Sequence, residues 1–269
     1  MQELLDFDFY ASHFLKIRTK SSGMQPFVMR TYQRKFVHFM KSIKGPKRII
    51  VVKPRQCGFT TQVAALNFHA YTTERDMTGL AMADKGERTS AIAQIHTTFL
   101  QELPAPLRPM MLRNNTEQIY YENPDFNRRR DYPGLRSGIK FETALDPNAG
   151  RSEPRKFAHL SENAFYRYYT EIDDGVQNSI PLIDNSLVVK ESTANGRAGI
   201  GRPFFLLYTA AKMGETLYQP FFVSWFEVDD YSINPPEKLV LTKYELDIMK
   251  QYPQLTIGNI FWRRVKLSE

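Results

Sequence analysis

Three local signals meet at residues 48–71, and together they leave few folds open. Arg48-Ile49-Ile50-Val51-Val52 is a short β-branched run without polar alternation, the pattern of a strand buried on both faces of a parallel sheet. It leads into Lys53-Pro54-Arg55-Gln56-Cys57-Gly58-Phe59-Thr60-Thr61, and a helix is predicted from Thr60 to about Tyr71. A strand, a glycine-bearing loop and a helix start are the parts of an anion cradle, because a helix N-terminus offers free N–H groups and a positive dipole end. The usual nucleotide loop reads G-x-x-x-x-G-K-[ST]. Aligned on Gly58 and Thr60, this chain has Lys53 in place of the first glycine and Phe59 in place of the lysine. Gly58 still lets the backbone turn closely about a phosphate. Thr60 places a hydroxyl where Mg²⁺ is normally held. The Lys53 amine can curl back to the β/γ-phosphates, with Arg55 as a second cation. The backbone of Gln56, Cys57, Phe59 and Thr61 completes the expected nucleotide-binding loop. Taken alone, the loop reads equally as a turn with solvated bases; the flanking strand and helix are the context the motif requires.

The remainder of the chain supplies a matching frame. At 269 residues and 42% hydrophobic content it can bury one sizeable core, with or without a small appendage. Strands are predicted at Met77–Ala83, Gln118–Tyr121, Ile139–Ala144, Lys156–Leu160 and Ser186–Ser192. Helices are predicted over Gly86–Leu103 and from about Phe165 to Asn178. The first segment, to about Met40, reads as helical with a break at Ser21-Ser22-Gly23. Strands alternating with helices imply an α/β fold with a mostly parallel sheet flanked by helices. After Trp225 the pattern shifts to Pro235-Pro236 and a short helix from about Thr242 to Gln251. The expected organisation is an N-terminal helical segment (1–47), a core (48–234) and a small lid or linker (235–269).

Composition excludes several classes. Lys and Arg total 36 against 29 Asp and Glu, a net charge of +7, which suits a polyanionic partner such as nucleic acid. One cysteine leaves no internal disulfide framework and fits a reducing compartment. The start, Met1-Gln2-Glu3-Leu4-Leu5-Asp6, lacks the basic and apolar regions of a secretory signal. No apolar stretch approaches the ~20 residues of a membrane span. The histidines show no zinc-ligand spacing, and Cys57 has no histidine near it in sequence, so a filler role is expected.

Several segments, taken in order, resemble one family. Lys-x-Arg-Gln-x-Gly-x-Thr-Thr at 53–61 resembles the variant phosphate loop of the large terminases of tailed double-stranded DNA bacteriophages, in which the lysine often moves to the front. Phe157-Ala158-His159-Leu160-Ser161-Glu162-Asn163-Ala164 resembles their Walker B segment. Lys190-Glu191-Ser192-Thr193-Ala194-Asn195-Gly196 resembles the coupling motif after the next strand, and Ser224-Trp225 lies near a common Pro-Trp. The set spans roughly Pro26 to Trp262.

The resemblance implies a RecA-like (ASCE) ATPase and a role for each matching residue. Glu162 becomes the catalytic carboxylate that orients and deprotonates the attacking water. Ser161 stands where an aspartate usually holds Mg²⁺ through water, and a neutral hydroxyl is the weaker partner. Thr60 is the other expected metal contact. Arg151 resembles the arginine finger that enters a neighbouring subunit's site, with Arg155 and Arg136 as rivals. Gln33 resembles the adenine-binding glutamine, with Tyr32 or Phe27 packing on the ring. Ser192, Thr193 and Asn195 match the segment that senses the γ-phosphate and couples hydrolysis to movement, although Asn195-Gly196 is also an ordinary turn signal. Arg128-Arg129-Arg130 reads either as a DNA-backbone contact or as a solvated loop.

The implied function is translocation of double-stranded DNA into the procapsid with ATP and Mg²⁺. The implied partners are the portal protein, a small terminase subunit and four further copies in a five-membered ring, all in the host cytoplasm. Phe261-Trp262-Arg263-Arg264 resembles the stretch before the family's nuclease domain, so DNA cleavage by this chain is not expected. Two rival readings remain: a helicase-like ATPase, and a degenerate fold that binds without turnover.

Overall fold

The computed structural model describes residues 3–19, 23–151 and 153–268. In chain order the regular elements are α1 (Phe7–Phe14), β1 (Lys16–Thr19), β2 (Gly23–Pro26), α2 (Thr31–Ser42), β3 (Lys47–Val52), α3 (Phe59–Thr73), β4 (Thr78–Ala83), α4 (Gly86–Glu102), β5 (Arg113–Asn114), β6 (Gln118–Tyr121), β7 (Ser137–Thr143), β8 (Phe157–Ser161), α5 (Tyr169–Ser179), β9 (Leu187–Ser192), α6 (Arg202–Met213), β10 (Gln219–Phe222), α7 (Lys243–Gln251) and α8 (Ile257–Ser268).

Eight strands form one sheet in the order β10-β3-β9-β8-β4-β7-β6-β5. Pairing is parallel from β10 to β7, and β6 and β5 close the edge antiparallel. The strand carrying the phosphate loop, β3, is separated from β8 by the later strand β9. The C-terminal ends of β3, β9 and β8 therefore meet at one edge, where open parallel sheets place their sites.

The period-2 alternation of side chains divides the interior into two layers. Ile49 and Val51 of β3, Val189 of β9 and Ala81 of β4 join the core under α1 to α4, while Ile50, Val188 and Leu80 join the core under α5 and α6. Phe59 opens α3, is buried, and packs edge-on to Phe36 with Phe221 beside it. This packing explains why a lysine is absent from that position: a charge there would lie in the core.

The expected α/β architecture with a mostly parallel sheet holds, with local corrections. The first segment is two helices with a β1–β2 hairpin between them, and the anticipated break at Ser21-Ser22 lies outside the described residues. Phe7 and Tyr10 of α1 and Tyr32 and Phe36 of α2 share a core with Val51 and Phe59. The tail carries α7 and α8, held through buried Leu255 and Ile260. Thr242 and Glu245 form a capping box at the start of α7, satisfying otherwise orphaned backbone donors. Among the described residues no helix is long and apolar enough to cross a membrane.

Candidate active site at the phosphate loop

The loop after β3 is held open from outside. Tyr32 of α2 donates its hydroxyl to the carbonyl of Cys57, the Gln33 amide donates to the carbonyl of Gly58 at 3.1 Å, and the Tyr231 hydroxyl donates to the carbonyl of Arg55. Three loop carbonyls are thus engaged by side chains from outside the loop, and the loop leads into the N-terminus of α3, where backbone N–H groups gather. Such a gathering of N–H groups is the kind that binds anions. Gly58 caps α3 at φ 74°, in the left-handed region that favours glycine, and Gln56 takes φ 52° in the same loop. Cys57 is buried, and burial pushes its thiol up, in keeping with the filler role.

Three charged groups converge beneath the loop. Lys53 Nζ lies 2.7 Å from Glu162 Oε1 and 3.3 Å from Glu191 Oε2, with only 7% of Lys53 exposed. Burial opposes the Lys53 charge, but the Glu191 and Glu162 carboxylates outweigh it and raise its pKa above the ordinary lysine value. Glu191 is fully buried. Burial pushes its pKa up, yet the Lys53 charge and the hydrogen bonds from His159 and Ser161 hold it well below the usual carboxylate range. Thr60 donates to Glu191 Oε1 at 2.8 Å, and His159 Nε2 lies 3.2 Å from the same oxygen.

Glu162 follows β8 with φ 52°, an unfavourable conformation for a non-glycine residue that here re-aims the side chain. Its second oxygen accepts from the Thr193 hydroxyl at 3.2 Å, the Thr193 N–H at 3.3 Å and the Ser192 hydroxyl at 3.4 Å. Ser192 Oγ also accepts from Ala164 N–H, and the Asn195 amide donates to the Ala164 carbonyl at 3.0 Å. Residues 192–195 and 162–164 thus form one hydrogen-bonded unit.

The sequence-predicted residues divide into those brought together and those held elsewhere. Lys53, Gly58, Thr60, Ser161, Glu162, Ser192 and Thr193 converge at the sheet edge. Gln33 reaches the loop, but its amide is engaged at both ends, since its carbonyl also accepts from Arg30 N–H at 2.8 Å. The Tyr32 ring is buried against the loop, so it supports Cys57 and is not free to stack on a base. Thr61 lies on the other side of α3, lining a groove with Ile17 and Gln94. Arg55 is exposed. Arg151 is exposed and packs on α5, where a Cβ on Gly175 would come within 2.6 Å of Arg151 Cγ. It lines a groove of about 720 Å³ with Asp174 and Asn178, beside residues that precede β8, whereas Glu162 follows it. The rival Arg155 is buried in an ion pair with Glu142, and Arg136 pairs with Asp76. Arg129 pairs with Glu122, away from the site.

Glu191 and Tyr231 were not assigned roles by sequence reasoning. The signal for Glu191 was available: an acid in a strand that opens Leu187-Val188-Val189, on the face that alternation turns toward α3. Nothing local marks Tyr231. Among the described residues no group of three or more His, Cys, Asp or Glu side chains could hold a metal ion by itself. The Thr60 hydroxyl nevertheless sits beside Glu191, whose Oε2 is buried without a hydrogen bond. Hard oxygen donors of this kind suit Mg²⁺, which keeps most of its water and takes few protein ligands.

No protein-family model matches this sequence, and no curated protein matches it. Solved structures do. The HK97 bacteriophage large terminase is similar over 96% of this chain and 48% of that one, with a TM-score of 0.62 at 14% identity. The Thermus phage P74-26 large terminase ATPase domain is similar over 88% of this chain and 92% of that one, with a TM-score of 0.56 at 11% identity. This chain spans about half the length of the HK97 protein, and nearly all of the isolated P74-26 domain is matched.

Proposed function

We propose that this chain, which has the fold of the large terminase ATPase domains, hydrolyses ATP and uses the turnover to move double-stranded DNA into a procapsid. The observation that carries the reading is Glu162: a carboxylate held at the end of β8 by Lys53 on one side and by Ser192 and Thr193 on the other.

In this reading the loop N–H groups and Lys53 receive the β- and γ-phosphates. Glu162 orients the attacking water in line with the γ-phosphate and takes its proton. A bound magnesium ion would supply positive charge to the phosphates, and Thr60, with Ser161 through water, belongs to the set that would hold it. Gln33 serves the nucleotide by bracing Gly58, with one amide hydrogen left for an adenine edge. Arg151 lies away from Lys53, Thr60 and Glu162 of its own chain, which favours a finger acting on a neighbouring subunit in a ring. Ser192, Thr193 and Asn195 link the carboxylate to the segment after β9, a route by which a change at the phosphates reaches the rest of the domain.

The net charge of +7 suits contact with a DNA backbone, so binding should be largely sequence-independent and fall steeply with salt. The portal protein, a small terminase subunit and a five-membered ring in the host cytoplasm complete the reading. The test is the steady-state ATPase rate against protein concentration, with and without duplex DNA, for the wild type and Glu162→Gln. Turnover that rises faster than linearly and vanishes in the variant supports it. A variant as active as the wild type would remove Glu162 from the chemistry.

A further inference from the structure

Ser161 leaves a gap in the charge of the proposed site. In P-loop enzymes the metal is held by the loop Ser/Thr and by an acid at the end of the Walker B strand. Here that position carries a neutral hydroxyl. The sheet register shows where a negative charge reappears: Ser161 of β8 pairs directly with Glu191 of β9, and Glu191 pairs in turn with Val51 of β3. Adjacent strands lie ~4.8 Å apart, so an acid moved one strand sideways, with its side chain on the α3 face, reaches the same space beneath the loop.

The contacts of Glu191 agree with that placement. One oxygen takes the Thr60 hydroxyl at 2.8 Å and has His159 Nε2 at 3.2 Å. The other accepts no hydrogen bond and has the Lys53 ammonium 3.3 Å away. Burying a full charge is costly unless it is paired. The Lys53 ammonium is shared between two carboxylates, and the His159 imidazole is the other group facing Glu191; a divalent cation at Thr60 would add positive charge beside both acids.

We infer that Glu191 carries the metal-organising role normally held by the Walker B acid, orienting the Thr60 hydroxyl and accepting hydrogen bonds from the water shell of Mg²⁺. The inference rests on the ATPase reading of the site. Glu162 and Glu191 then divide the work, the first facing the attacking water and the second the cation. A counter-ion for Lys53 alone would need neither the contact to Thr60 nor an oxygen free of hydrogen bonds.

The test is the ratio of the ATPγS dissociation constant in EDTA to that in Mg²⁺, measured by calorimetry on the full chain. For the wild type this ratio should stand well above one. Glu191→Gln should lower it at least tenfold. The double variant Ser161→Asp with Glu191→Gln, which returns the acid to β8, should recover most of it. Thermal unfolding checks that each variant is folded; if the single variant is not, the double variant decides alone. A ratio unchanged in Glu191→Gln, or one that the double variant fails to restore, would overturn the inference. A wild type that binds ATPγS with a ratio near one would overturn it as well, while leaving a nucleotide site in place. A wild type that binds no ATPγS under either condition would sink the ATPase reading itself, and this inference with it.

Discussion

Lys53 Nζ sits 2.7 Å from Glu162 Oε1, so the first residue of the phosphate loop and the residue that follows β8 are joined across 109 positions of sequence. The same ammonium also faces Glu191, so that two carboxylates share Lys53.

Removing that charge should therefore affect more than nucleotide binding. Lys53→Met keeps the length of the side chain and leaves Glu191 buried without the Lys53 ammonium. Breaking a buried pair costs about 3–5 kcal/mol, and a loss of that order is expected in urea unfolding, together with loss of ATPγS binding. A variant as stable as the wild type would show that the two acids do not need Lys53.

The loop braces should act on affinity. Tyr231→Phe deletes only the hydroxyl that holds the Arg55 carbonyl. A neutral hydrogen bond contributes about 1 kcal/mol, or roughly fivefold in a dissociation constant. ATPγS binding should weaken by that factor with little change in melting temperature, because this hydrogen bond lies at the surface. Tyr32→Phe, at a buried hydroxyl, should lower both affinity and stability. Unchanged calorimetric affinity in both variants would mean the carbonyls need no outside support.

Arg151 gives a complementation test. Arg151→Ala and Glu162→Gln should each be nearly inactive alone. If the arginine serves a neighbour's site, mixing the two variants should restore ATPase activity, since some interfaces then carry an intact Arg151 and an intact Glu162. A mixture no more active than its components would place the finger elsewhere.

Acid should loosen the tail before the core responds to its own groups. The Arg264 hydrogen bond, opposed by burial and helped by Thr242, lowers the Glu245 pKa to about 2. Its folded value lies below its ordinary value of 4.5. The stabilisation is therefore complete above pH 4.5 and is lost as the pH falls toward 2. Tryptophan fluorescence followed from pH 5 to 2 should report Trp262 leaving its stack on Tyr231. In Arg264→Ala this step should move up toward pH 4.5, and a step at the wild-type position in that variant would show that the Glu245 pair does not govern it.

Much of the fold was legible because its central strands are uniform. Ile49 to Val52, Leu80 to Ala83 and Val188 to Val189 are apolar runs that can only be buried on both faces, and the structure places each as a strand in the parallel part of the sheet. What escaped notice was written in mixed signals. Gln219-Pro220-Phe221-Phe222 contains a proline and no strand is predicted there, but β10 is an edge strand, where a missing N–H is tolerated. The β1–β2 hairpin is too short and polar to show periodicity. At the site, residues adjacent in sequence to the glycine loop could be found by motif. Glu191 and Tyr231 are joined to it only by sheet register and tertiary packing, which spacing along one sequence does not encode.

Tyr231 has a mechanical consequence. Its hydroxyl grips the loop carbonyl of Arg55, and its ring lies flat on Trp262, 4.2 Å between centroids. Trp262 belongs to α8, twelve residues long, a rigid rod of about 18 Å. A tilt of that rod pries at the Tyr231 rivet, and a shift of the loop swings the rod's far end through a wider arc. The C-terminal helix is thus a pointer geared to the phosphate loop through one aromatic stack and one hydrogen bond.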